Sequence, residues 1–153
     1  MIRLLRKVAA LRRDENGAVV IETAIVLPVL VLMALGGFEV SRIVSRESEL
    51  QAAVAEAAAV VLATFPEEQE ELDQIEKIIE TSTGLPHGKV RLIKRYRCNA
   101  DTTLKSDVTA CPTGAVISEI IQINIWDTYY PIWTEFGVGR KVGYNIMRRV
   151  QIS

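Results

Sequence analysis

Ala18 to Phe38 reads AVVIETAIVLPVLVLMALGGF, 21 residues with one ionisable side chain, Glu22. Coiled as an α-helix, the stretch extends about 31 Å, which is the thickness of a bilayer's hydrocarbon core. Three placements compete. A chain of 153 residues has little core in which to hide a helix that is apolar on every side. A cleavable signal peptide needs a short apolar region and a small-residue cleavage site, and Ala34-Leu35-Gly36 offers one. A membrane span is favoured over both, because the helical pattern does not stop where a signal peptide would. Val40, Ile43, Leu50, Val54, Ala57, Val61 and Phe65 recur three or four residues apart, with Glu47 filling the missing step. That stripe is the mark of an amphipathic helix. One helix from Ala18 to about Ala63 is therefore expected, its first half in the bilayer. Pro28 is expected to kink it, and Gly36-Gly37 to loosen it or admit a close helix neighbour.

Charge supports this division. The net charge of −1 comes from 18 Lys+Arg against 19 Asp+Glu, and the mean hydropathy is +0.19. Such a balance excludes a uniformly basic binder of nucleic acid, and no nucleic acid is expected among the partners. The neutral total hides a sorted chain. Arg3, Arg6, Lys7, Arg12 and Arg13 precede the apolar stretch, residues 39–83 are strongly acidic, and residues 84–153 are basic. Basic residues ahead of a span place the N-terminus in the cytoplasm and the remainder across the membrane. Arg42 and Arg46 each have an acid three or four residues away, the spacing of helical ion pairs.

Glu22 is the most informative residue. A carboxylate within a bilayer is expensive and asks for a partner. Gly17 ends the basic leader, and Glu22 is the fifth residue after it. This G-A-V-V-I-E arrangement resembles the processing site of type IV prepilin-like proteins. The longer stretch from Arg12 to Leu30, with Pro28 near the middle of the span, resembles TadE-like proteins, minor pseudopilins of the tight adherence (Tad) pilus. Thr23 stands where that family often has Phe or Tyr. The resemblance implies cleavage by a prepilin peptidase between Gly17 and Ala18, with the apolar helix kept on the mature chain. It also implies an adhesion-related pilus role, with other pilins or pseudopilins, the assembly machinery and the lipid bilayer as partners. The new α-amino group at Ala18 is then a natural counter-ion for Glu22, in its own chain or a neighbour's, and Glu22 a register device between subunits.

Beyond the span, Phe65-Pro66 separates the long helix from a second one, expected over about Glu67–Ser82. There Pro66 suits the first turn and Leu72, Ile75, Ile78 and Ile79 form the apolar stripe. Gly84-Leu85-Pro86-His87-Gly88 breaks it. Three segments then alternate with period two: Lys89–Cys98, Ala115–Tyr130 and Arg140–Ile152. Alternation with one polar face predicts half-buried antiparallel strands. The expected fold is α+β and pilin-like, a long N-terminal helix plus a short second helix packed on a small antiparallel sheet. Its parts are a leader (1–17), a transmembrane helix (18–38), a periplasmic continuation of that helix (39–65) and a periplasmic domain (66–153).

Cys98 and Cys111 are 13 positions apart, which is neither a metal-ligand nor a redox spacing, and an exported domain favours a disulfide between them. No metal, cofactor or catalytic constellation is expected. The single histidine, His87, sits in a turn, and hydrolase, metalloprotease and phosphate-loop patterns are missing. Trp126, Tyr129, Tyr130 and Trp133 form a candidate partner-binding patch, with core and sheet-edge packing as the plainer reading. The expected function is a structural one in pilus assembly at the inner membrane. The alternative is an uncleaved bitopic scaffold or sensor with a periplasmic domain.

Overall fold

The computed structural model describes residues 15–153. The leader's basic side chains, from Arg3 to Arg13, lie outside the described residues. The chain divides into two units, Met1–Ser41 and Arg42–Ser153. Helix α1, Glu15–Thr64, crosses the boundary between them. It begins ahead of the expected Ala18, so Gly17 and Ala18 are helical. The helix runs unbroken through Pro28, whose missing N–H leaves the carbonyl of Ala24 without its usual donor.

In the first unit every side chain from Val19 to Leu35 is exposed. The second unit reverses the pattern. Leu50, Ala53, Val54, Ala57, Ala58 and Val61 turn one face of α1 into a core with the sheet. The expected stripe is correct in its middle and wrong at its ends. Val40 and Phe65 are exposed, Ile43 is half-buried, and the small residues Ala53 and Ala58 are buried instead. Alanine is small, so an apolar stripe read by size does not anticipate these two positions. Phe65 ends the helix in the left-handed region, at φ 46°, and its N–H donates to the carbonyl of Val61. This satisfies one of the orphan carbonyls of the last turn.

Helix α2 spans Gln69–Thr83, starting later than expected. Pro66 is buried ahead of it rather than in its first turn. The carboxylate of Glu71 takes the start instead, accepting from the N–H groups of Glu67 (2.9 Å) and Glu68 (3.4 Å). Leu72, Ile75 and Ile79 are buried as the pattern requires, but Ile78 is 64% exposed. It stands one residue off the stripe's axis.

Strands β1 (Val90–Cys98), β2 (Ile117–Tyr129) and β3 (Val142–Gln151) form an antiparallel sheet in the order β1-β2-β3. The register pairs Leu92 with Ile123 and Ile125 with Ile146. Val90, Leu92, Ile121, Ile123, Ile125, Tyr144 and Val150 therefore face the helices. Arg91, Arg95, Arg97 and Arg149 fall on the opposite face. The layout is the α+β one read from the alternation.

Cys98 and Cys111 are joined in a disulfide, with Cα atoms 5.5 Å apart. Closing a loop of this length stabilises by about 3 kcal/mol in the chain-entropy account. The enclosed segment folds back on the free edge of β1, where Tyr96 and Lys105 exchange both backbone hydrogen bonds, at 3.0 and 2.8 Å. An edge strand closed in this way is a poor template for unwanted pairing.

Candidate functional site

Glu22 is exposed on a helix face that it shares with Val19, Thr23, Val26, Leu27 and Leu30. Its neighbours on that face are apolar except Thr23. The Thr23 hydroxyl donates to the carbonyl of Val19 at 2.8 Å. A threonine bonded back to its own helix carries no unmet polar group into lipid. Thr23 in place of a larger aromatic is thus compatible with a bilayer. Gly36 and Gly37 are helical, and a Cβ at either would meet nothing within 4 Å.

The second unit begins where α1 meets the sheet, and polar contacts fix that junction. Arg46 donates from Nε to Asp127 at 2.7 Å and from Nη1 to Glu49 at 2.8 Å and the Thr83 carbonyl at 3.1 Å. One guanidinium thus ties α1 to β2 and to the C-terminal end of α2. Burial alone would lower the Arg46 pKa, but the bonds to Glu49 and Asp127 outweigh it and raise it. Tyr144 donates from its hydroxyl to the Ile43 carbonyl at 2.9 Å. The Arg42 guanidinium lies 5.7 Å from the centre of the Tyr129 ring, within cation–π range. The sequence pointed to the Glu49 pairing, three residues away. Asp127, 81 residues away, carried no local signal.

Two glutamates on α2 hold the turn and the strand that follow. Glu76 accepts the N–H of Leu92 on the edge strand. Burial chiefly raises its pKa, against that hydrogen bond. Glu80 is buried and accepts from the N–H of Gly88 at 2.6 Å, with His87 Nδ1 at 3.0 Å. His87 itself is an exposed turn residue. Burial alone would raise the Glu80 pKa; the bonds from His87, Gly88 and Val90 prevail and hold it below its ordinary 4.5. A depressed folded-state pKa stabilises above the unfolded value, and that contribution is lost as pH falls through the folded one. Unfolding free energy is therefore expected to drop as pH falls below about 4.5. Glu80→Gln should show a shallower acid limb in denaturant titrations at successive pH values. An unchanged limb would refute this role.

The four aromatics proposed as one patch do not form one. Trp126 lies on the open face of the sheet opposite Asn145, whereas Tyr129 packs against the core. Strand pleating separates them, because an odd spacing of three residues puts them on opposite faces. Tyr130 is exposed, and Trp133 packs over Gly139 in the turn beyond. Among the described residues no three His, Cys, Asp or Glu side chains stand together as a metal site would.

Residues 17–59 match the family model described as TadE-like protein. No curated protein and no solved structure matches the chain. The matched stretch holds Gly17, Glu22, Pro28 and the whole apolar helix. It ends within the helix face that packs on the sheet. Residues 17–59 are thus TadE-like in sequence, and they include the one apolar helix among the described residues that is long enough to cross a membrane.

Proposed function

We propose that the chain is a minor pseudopilin of a Tad-type pilus machine, cleaved by a prepilin peptidase between Gly17 and Ala18. It stays anchored in the inner membrane by Ala18–Phe38, with its N-terminus cytoplasmic and residues 39–153 periplasmic. There it supports filament assembly through contacts with other pilins and with the assembly machinery. The observation that carries this reading is Gly17 followed by Glu22 at the head of a lipid-compatible helix that matches the TadE-like family. The basic leader supports the orientation. The disulfide supports an oxidising compartment. The role is structural rather than catalytic.

One observation favours the uncleaved bitopic scaffold or sensor: Gly17 and Ala18 are helical, and a protease needs an extended scissile bond. The first turn of a helix frays readily, since its N–H groups have no intrahelical partners. Glycine then adopts the extended form at no steric cost. Mass spectrometry of the protein extracted from membranes decides between the readings. A chain beginning at Ala18 is the expected result. One that retains Met1, or begins near Gly36, overturns the proposal.

A further inference from the structure

The connection between β2 and β3 holds an apolar turn at a telling place in the chain. Pro131 is buried, but Tyr130, Ile132, Phe136 and Val138 are 65%, 57%, 79% and 61% exposed. Arg140 and Lys141, both exposed, follow at once. Glu135 is the one acid between Tyr130 and Lys141, so the turn is weakly cationic.

This exposure belongs to an ordered element. Ile132–Phe136 is a 3₁₀ turn. Thr134 donates to the Pro131 carbonyl from its N–H (3.0 Å) and its hydroxyl (2.7 Å). Val138 N–H donates to the Trp133 carbonyl at 3.1 Å. Gly137 and Gly139 close the turn at φ 74° and 80°. A Cβ at Gly139 would stand 2.9 Å from the indole of Trp133. The indole therefore braces the turn from within, while the other apolar side chains are held outward.

The tether locates it. Arg42 lies beside Tyr129, the residue before the turn. Phe38 ends the apolar stretch four residues earlier. Even fully extended, that connection reaches about 14 Å. With the apolar stretch in a bilayer, Arg42 stays within about 14 Å of the stretch's end, and Tyr129 beside Arg42 is then able to reach the headgroup layer. Aromatic and aliphatic side chains with adjacent cations are what an anionic bilayer interface accommodates.

We propose that residues 130–141 are a membrane-docking turn: Tyr130, Ile132, Phe136 and Val138 insert into the bilayer interface and Arg140 and Lys141 meet anionic headgroups. The turn makes a second, reversible attachment that fixes how the periplasmic unit faces the membrane. A subunit entering a filament would have to release it. The inference rests on the membrane anchor and is independent of cleavage after Gly17.

The test uses the full chain in vesicles of phosphatidylethanolamine with a minor fraction of phosphatidylglycerol. Phe136→Cys and, separately, Val116→Cys are labelled with an environment-sensitive fluorophore, leaving the Cys98–Cys111 disulfide intact. Val116 is 72% exposed and precedes β2. It lies at the far end of a strand about 40 Å long from Tyr129. Nitroxide lipids labelled near the headgroup should quench the probe at position 136 at least about twofold more than that at 116. Arg140→Glu with Lys141→Glu should reduce that difference. Equal quenching at the two positions, or none at either, overturns the proposal. So does shielding of position 136 that appears only at high protein-to-lipid ratio, which would mean that a second copy covers the turn. Failure of the chain to float with the vesicles would overturn both the anchor and the docking turn. Flotation without selective quenching would overturn the docking turn alone.

Discussion

On the proposed function, a Glu22→Ala chain is expected to be cut after Gly17 no less readily than the unsubstituted chain, and to leave cells with few or no assembled pili. The processing bond is five residues upstream, and alanine is the best helix former, so the change disturbs neither cleavage nor the helix. Insertion of a single chain should become easier, because a carboxylate in the apolar layer costs up to about 3 kcal/mol. What is lost is discrimination between packing registers. With Glu22 present, a neighbouring helix that fails to bring a cation leaves a charge unmatched in lipid; with alanine every register is tolerated. Each 1.4 kcal/mol of lost discrimination is about a tenfold loss of the correct arrangement, so even a partial effect is large. Immunoblots of sheared pili against the membrane fraction read both steps at once. Wild-type piliation in the variant would refute the register role. Restoration by Glu22→Gln would show that a hydrogen bond suffices and that the charge of the Ala18 amine is not the partner.

Arg46→Met is expected to destabilise the second unit by about 3 kcal/mol. The side chains of Arg46 and Asp127 are only 22% and 17% exposed, so their pair is screened far less than a surface one. Methionine keeps most of the packing and removes all three hydrogen bonds. Asp127 is left charged and partly buried, which is the expensive outcome. For a unit of this size the melting temperature should fall by roughly 10 °C or more, followed by circular dichroism in detergent. Glu49→Gln is the control. That partner is 49% exposed, and its loss should cost under about 1 kcal/mol. A shift for Arg46→Met no larger than that of the control would refute the three-way tie.

The strands were the most legible part of the fold. A half-buried antiparallel sheet writes its two faces into alternate positions, so Val90, Leu92, Ile123, Ile125 and Tyr144 announced their side directly. The long helix was legible because apolar composition over 21 residues leaves few alternatives. Less was readable where burial depends on what lies opposite. Ile78 looks like core but faces away; Glu80 looks like surface but is buried, because the following turn supplies it with donors. Val40 and Phe65 fit the spacing of the stripe yet are exposed.

For the candidate site, Gly17, Glu22, Pro28 and the apolar run were visible because they act locally: each is defined by its spacing along one helix and by the solvent that helix must meet. The same locality made the TadE-like stretch recognisable. The Cys98–Cys111 pairing followed from there being only two cysteines, at a spacing that suits neither a metal site nor a redox motif. The aromatic cluster shows the limit. Nearness in sequence placed Trp126, Tyr129, Tyr130 and Trp133 together, but pleating and a 3₁₀ turn send them to different surfaces.

The sequence by itself determined the long apolar helix, the α+β class and the faces of the strands, since these depend on hydrophobic composition and period near in the chain. Only the tertiary structure decided that Arg46 is shared by two helices and a strand. Only it showed that the turn after Tyr129 is ordered and exposes its apolar side chains. The Arg46 contact depends on residues some 80 positions apart being brought within hydrogen-bond reach. Local propensity and period carry no information about such meetings; they follow from how the sheet's register and the helix packing close the core.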